Sequence, residues 1–287
     1  MLSVITSTNN TVPPIKTIIL FANFDGPEPQ KYRVTEDVWE SLELALQNLD
    51  DVQLERVEKS FKTSSEAIAE GEKRKATIVI WGWYGVTAQA VSLSVHFEVL
   101  RSPGYILEVG PEAKGLIRTM DVTELDSFAL QIRLSEEMAY LCLFTVGAIH
   151  YMAQDWDKAI ASFSGALSQS REPVPALDRG IVHLYRGIAY SIEGYYSKAI
   201  ADFDRVIELQ PDSAMGYVSR GNAYALKGDA DYAISNYDRA IELQPNHTYI
   251  YLSRGSSYVL KRDYDRAIAD YDRAIELQPD LAAIPFK

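Results

Sequence analysis

Hydrophobic and polar positions follow two different rules along this chain. In the N-terminal part, short apolar runs alternate with segments whose apolar residues recur every three or four positions, as strands alternate with helices in a layered α/β structure. Thr17–Ala22 (TIILFA) reads as a buried strand, and Thr35 as the cap of a helix through Leu49 with Val38, Leu42, Ala45 and Leu49 on one face. Val52–Val57 reads as a second strand, Ser64 or Ser65 as the next helix cap, and residues 77–83 (TIVIWGW) as a third buried strand ending in a turn at Gly85. Strict alternation follows, with Val91, Leu93, Val95, Phe97 and Val99 against Ser92, Ser94, His96 and Glu98, the pattern of a strand with one wet face. Residues 105–109 are placed beside it through the RSPG turn as an edge hairpin. Residues 138–152 are apolar almost throughout, yet fall short of the roughly 20 needed to span a bilayer, so they read as a buried helix.

Beyond this point the chain repeats itself. Pro211, Pro245 and Pro279 are 34 residues apart, and the same offset links Gly187, Gly221 and Gly255, then Tyr190, Tyr224 and Tyr258, then Ala199, Ala233 and Ala267, then Phe203, Tyr237 and Tyr271. Small residues let two helices approach, aromatics fill the space between them, and proline stops the second helix. An earlier, degenerate unit aligns through Gly147, Ala159 and Phe163 once six residues are inserted after it.

The period and the order of Gly, Tyr, Ala, aromatic and Pro resemble the tetratricopeptide repeat family, whose unit is a pair of antiparallel helices. The resemblance implies an all-α, right-handed superhelical solenoid, and with the preceding α/β sandwich-type domain an α+β chain overall. The expected division is a flexible N-terminus (1–14), an α/β domain (15–121), a connecting helix (122–134), repeats over 135–281 as units 135–170, 180–211, 214–245 and 248–279, and a tail (282–287).

The resemblance also implies a groove lined by the first helix of each unit. Counting from the glycines places Leu141, Phe144 and Tyr151, then Ile181, Leu184 and Ile188, then Met215, Val218, Asn222 and Leu226, then Tyr249, Leu252 and Leu260 on it. Only Asn222 matches the Lys, Arg and Asn set with which relatives clamp a terminal carboxylate, so an apolar helix or extended segment is the expected ligand. Polar replacements of Phe144, Leu184 and Val218 are expected to abolish capture and spare the fold. Whether the groove holds a partner, the chain's own N-terminal domain or a second copy stays open. Arg186, Arg220 and Arg254 could form a basic stripe for an anionic ligand, but with Asp202, Asp204, Asp238, Asp270 and Asp272 recurring on the following helices they read rather as ion-pair partners within the repeats or as a solvated face.

The N-terminal order strand, helix, strand, helix, strand, hairpin, with ANFDG closing the first strand and IVIWGWYG the third, resembles the TolB N-terminal-like module, related to the curli-secretion lipoprotein domain. This resemblance implies a bacterial source. Loops after parallel strands are where such sheets bind ligands, which singles out Asn23, Asp25, Gly26, Trp83 and Gly85 as a possible ligand loop. Asp25 and Gly26 read equally as a turn.

Composition narrows the functional classes. A net charge of −12 argues against nucleic acid as partner, and the lone Cys142, in an apolar run, excludes an internal disulfide. No charged and apolar leader opens the sequence, so a cytoplasmic location without membrane insertion is expected. His96 has no evident nucleophile beside it, and His150, His183 and His247 are scattered, so no catalytic residue, metal site or cofactor is expected. The reading is a protein-interaction adaptor and not an enzyme. Two others stay open: an α/β domain that senses a small ligand beside a repeat scaffold, and a homo-oligomer joined through the uncapped last repeat.

Overall fold

The structure, a computed structural model, describes residues 17–26, 33–86, 91–100, 116–120, 128–169 and 179–283. Contacts divide the chain into two compact units, Met1–Asp155 with Gly165–Leu177, and Trp156–Ser164 with Asp178–Lys287.

The first unit holds strands β1 (Thr17–Ala22), β2 (Val52–Val57), β3 (Ile78–Val86), β4 (Val91–Val99) and β5 (Leu116–Met120), with helices α1 (Val34–Leu46), α2 (Ser64–Lys73) and α3 (Phe128–Met152). Strand β1 lies between β2 and β3, parallel to both, and β4 and β5 continue the sheet antiparallel beyond β3. A strand covered on both faces must be apolar at consecutive positions, and Ile19 to Ala22 are all fully buried. Leu20 and Ala22 join Val79, Trp81 and Ala67 of α2 in one cluster, whereas Phe21 points the other way and packs 5.8 Å from Trp39 of α1.

Several sequence expectations shift by a residue or two for local reasons. The cap of α2 is Thr63, whose hydroxyl accepts from Glu66 N at 3.3 Å, and not Ser64 or Ser65. Thr35 lies inside α1, buried, and accepts from Phe24 N at 3.0 Å, so it ties down the end of β1 instead of capping. Gly85 is no turn: β3 runs on to Val86 and pairs residue by residue with β4, Gly85 opposite Ser92. The second neighbour of β4 is β5; residues 105–109, like 1–14, lie outside the described residues. His96 stacks on the buried Trp81 ring at 3.9 Å.

Helix α3 runs unbroken from 128 to 152, so no separate connecting helix ends at 134. Residues 138–150 are buried without a gap, as a helix apolar on every side must be, and α3 packs along α1. His150 Nε2 meets Asp51 Oδ2 at 3.0 Å across 99 residues of sequence. Burial pushes the Cys142 thiol well above its ordinary pKa, which leaves it unreactive.

Helix α4 (Trp156–Gln169) is followed by three helix pairs: α5 (Arg179–Ile192) with α6 (Tyr196–Leu209), α7 (Ala214–Lys227) with α8 (Ala230–Leu243), and α9 (Thr248–Leu260) with α10 (Tyr264–Leu277). The sequence repeat dictates their boundaries. Gln210, Gln244 and Gln278 end the second helices in extended conformations with φ of −137°, −137° and −140°, because the following proline disfavours a helical residue before it. The glycines at 187, 221 and 255 leave room for an aromatic ring: a Cβ there would lie 2.6, 2.8 and 2.7 Å from Phe203, Tyr237 and Tyr271.

Each first helix turns into the second through a left-handed residue, Gly194 (φ 78°), Gly228 (φ 93°) and Arg262 (φ 61°), the last at the position where its two counterparts are glycine. A side chain in that region costs about 1 kcal/mol. Arg262→Gly is therefore expected to stabilise the last repeat by up to about 1 kcal/mol, read as a higher midpoint in urea unfolding. An unchanged or lowered midpoint would contradict that assignment of strain.

Candidate functional site

The repeats are stitched by arginines. Arg254 clasps Asp270 in its own repeat with Nε and Nη2 at 2.9 and 2.6 Å, and its Nη1 reaches back to Asp238 of the preceding repeat at 2.6 Å. Arg186 does the same with Asp202 at 2.8 and 2.6 Å and with Ser164 at 3.1 Å, and Arg220 with Asn236 at 2.8 Å and Asp204 at 2.6 Å. Hydrogen bonds to Asp270, then to Asp238, outweigh desolvation and hold the Arg254 guanidinium above its ordinary pKa. These arginines are occupied structurally, as the sequence suggested, and offer no basic stripe to a ligand. His183 Nδ1 also meets Asp202, at 2.8 Å.

The other side of the first helices is uncharged. Residues separated by three, seven and eleven positions share a helix face, which aligns Ile181, Leu184, Ile188 and Ile192 on α5, Met215, Val218, Asn222 and Leu226 on α7, and Tyr249, Leu252, Ser256 and Leu260 on α9. Helix α7 touches both α5 and α9, so the three faces adjoin. None of the twelve positions is charged. Two rows are open to solvent: Ile181, Met215 and Tyr249 at 37, 55 and 50 % exposure, and Ile192, Leu226 and Leu260 at 50, 43 and 63 %. Between them Leu184, Ile188, Asn222 and Leu252 are half-buried.

Asn222 is held from both sides. The Tyr237 hydroxyl donates to its Oδ1 at 2.8 Å, and its Nδ2 donates to the Tyr249 hydroxyl at 3.4 Å. In the last repeat Ser256 and the Tyr271 hydroxyl take these places, 3.3 Å apart. In the second repeat both residues are apolar, Ile188 with Phe203, so the phenol and its polar partner appear or vanish together.

Three groove expectations are corrected by burial. Leu141 and Phe144 are 3 and 1 % exposed within the first unit, and Val218 at 7 % belongs to the core with Ala233, Tyr237, Ala240 and Ile250. Polar replacements of Phe144 or Val218 would thus unfold the chain before they reported on recruitment. Tyr151 is half-buried, also in the first unit. Ile192 was missed, although it stands 34 residues before Leu226 and 68 before Leu260.

At the strand ends of the first unit, Asp25 N donates to Gly82 O at 3.0 Å and Tyr84 N to Asp25 O at 2.7 Å, so pairing between β1 and β3 continues past the end of β1. Gly26 is required there by close approach, since a Cβ would lie 2.5 Å from the Tyr84 ring. Asn23 accepts from Arg56 Nε at 3.0 Å, and Arg56 also bonds Glu36. Asp25 and Trp83 remain exposed on this rim, while Gly85 lies within the sheet. Among the described residues, no group of three or more His, Cys, Asp or Glu is placed to hold a metal ion, and no helix is long and apolar enough to cross a membrane.

Residues 248–281 match one tetratricopeptide repeat family model, and residues 186–213 and 216–247 match a second. The C-terminal part of the chain is therefore made of tetratricopeptide repeats, and no catalytic family is indicated. Among solved structures, the chain is similar to MamA at 22 % identity over 57 % of this chain and 99 % of that one, with a TM-score of 0.45. YrrB, described as a tetratricopeptide protein with an unusual peptide-binding site, is 19 % identical over 55 and 82 % of the two chains, TM-score 0.45. The first such domain of Spaghetti (RPAP3), bound to the HSP90 peptide SRMEEVD, is 26 % identical over 35 and 80 %, TM-score 0.34. No curated protein matches the chain.

Proposed function

We propose that the chain is a protein-interaction scaffold whose uncharged face on α5, α7 and α9 takes an amphipathic helix or extended segment of another protein through apolar anchors. The observation that carries this reading is the pair of solvent-open apolar rows, Ile181, Met215 and Tyr249 with Ile192, Leu226 and Leu260, in a chain whose net charge is −12. A contiguous exposed apolar surface rimmed by polar residues marks an interaction site. The absence of Lys and Arg from all twelve positions favours apolar side chains over a carboxylate as the recognised feature. On the same reading the repeats wind as a right-handed superhelix and the first unit is a TolB N-terminal-like module, supported by its three parallel strands and antiparallel extension.

Selection of a displayed random-peptide library on the full chain tests this. Enriched peptides are expected to carry two or more large apolar residues and to lose affinity at least about tenfold against the double variant Met215→Asp, Leu226→Asp. Both side chains are exposed, so circular dichroism and the unfolding midpoint are expected to stay unchanged. Peptides that bind the variant undiminished would place recognition elsewhere.

A further inference from the structure

Just past the end of β1 the register slips by one residue. Phe21 pairs with Ile80 and Asp25 with Trp83, so the first chain segment uses four residues where β3 uses three, a bulge at Asn23 and Phe24. In unbroken register Phe24 would stand opposite Trp83. The bulge instead turns Phe24 into the core, 4 % exposed and 5.9 Å from Phe21, and brings a carboxylate beside the indole. The backbone bonds of Asp25 to Gly82 and Tyr84, and the close approach of Gly26 to the Tyr84 ring, fix it there. Paired residues on neighbouring strands lie about 5 Å apart, with their side chains on the same side of the sheet. Asp25 is exposed, Trp83 is 39 % exposed, and neither side chain has a hydrogen bond, ion pair or ring contact among the described residues. Arg56 and Lys59, beside the bulge, are held by Glu36 and Glu70, each at 3.1 Å.

The same unit shows what such a pair of groups holds. Arg56 donates to Glu36 at 3.1 Å while its guanidinium lies 5.9 Å from the centre of the Trp39 ring. A guanidinium suits both groups at once, because its planar fork matches two carboxylate oxygens and its face stacks on an indole. Asp25 and Trp83 present these two groups to solvent at the ends of parallel strands, where sheets of this kind place ligands. We infer that Asp25 and Trp83 form a receptor for the guanidinium of an arginine side chain on a partner protein. The rim supplies only two contacts, whereas sites for free small molecules enclose most of the ligand's surface. An arginine side chain needs no such enclosure, because the rest of its own chain adds contacts. The net charge of −12 draws a cationic partner to this rim. The site lies apart from the uncharged face of the repeats and does not rest on its role.

The test uses the full chain with its four tryptophans replaced by 5-fluorotryptophan, the Trp83 fluorine line being assigned through Trp83→Phe. Titration with the peptide acetyl-Gly-Gly-Arg-Gly-Gly-amide is expected to shift that line saturably. The isosteric, uncharged citrulline peptide is expected to bind at least about tenfold more weakly, and the lysine peptide and methylguanidine more weakly than the arginine peptide. Asp25→Asn in the chain is expected to weaken the arginine peptide by about tenfold and to leave the other three fluorine lines in place, since the backbone of Asp25 carries the pairing with β3. A Trp83 line that does not move, citrulline or lysine peptides that bind as tightly as the arginine peptide, or binding indifferent to Asp25→Asn would each overturn the proposal. Methylguanidine binding as tightly as the arginine peptide would overturn it too, by making a free small molecule the occupant.

Discussion

Tyr237→Ala is expected to destabilise the repeat unit by about 3–5 kcal/mol, the range for deleting a large buried ring. The side chain is 1 % exposed and sits where α7, α8 and α9 meet, packed with Val218, Ala233, Ala240 and Ile250. Its ring fills the space that Gly221 leaves open, and burial pushes its phenol well above the usual tyrosine pKa. Relaxation into the hole is restricted because the neighbouring small residues, Gly221, Ala233 and Ala240, have no atoms with which to refill it. Each repeat contacts its neighbours in series, so the loss separates the last pair from the rest and broadens the unfolding transition. Tyr237→Phe keeps the ring and removes the hydroxyl with its bond to Asn222, for about 1 kcal/mol. Urea unfolding followed by circular dichroism distinguishes the two. Equal losses for both variants would mean that the hydroxyl, and not the ring, holds this junction.

Arg254→Met is expected to cost about 3–5 kcal/mol, because it strands a buried carboxylate. The Asp270 side chain is 7 % exposed and takes both of its charged hydrogen bonds from Arg254. Lysine is a poor substitute, since the bond is a two-pronged fork and a second arm serves Asp238. The array contains its own control. In the third repeat the equivalent of Asp270 is Asn236, which accepts from Arg220 Nε at 2.8 Å with no net charge. Arg254→Met combined with Asp270→Asn is therefore expected to recover most of the loss, because the stranded charge is gone. Thermal unfolding of the single and double variants reads the difference. A double variant no more stable than Arg254→Met would mean that Arg254 acts chiefly through Asp238.

The array was legible because each repeating residue has a job that depends only on its neighbours within the period: glycine facing an aromatic ring, proline after an extended glutamine. The backward arms of the arginines were less visible. Pairing within a repeat was the expectation for Asp204 and Asp238, and only the juxtaposition of successive repeats shows that they accept from the arginine of the next one. The exposed rim at Ile192 was available from the 34-residue offset alone. Leu141 and Phe144 were misplaced for a different reason. A strict count from Gly147 puts them on a groove, but MAYLCLFTVGAI is apolar on every side of the helix, and such a helix belongs in a core. The bond from His150 to Asp51 joins residues 99 apart and leaves no local signature. The strand ends show the same limit: FDG reads as a turn, whereas the pairing of Asp25 with Gly82 and Tyr84 follows only from the sheet.

Site-specific photo-crosslinking tests the central claim most directly. A benzophenone side chain would replace Leu226 on the uncharged face in one variant and Glu242, exposed on α8, in another, with each chain exposed to extract of the cells that make it. A discrete adduct from position 226 that is absent from position 242, and is competed away by the selected apolar peptides, is the result expected of a scaffold that recruits through α5, α7 and α9. An adduct from position 242 alone, or one at position 226 that the peptides leave untouched, would contradict it.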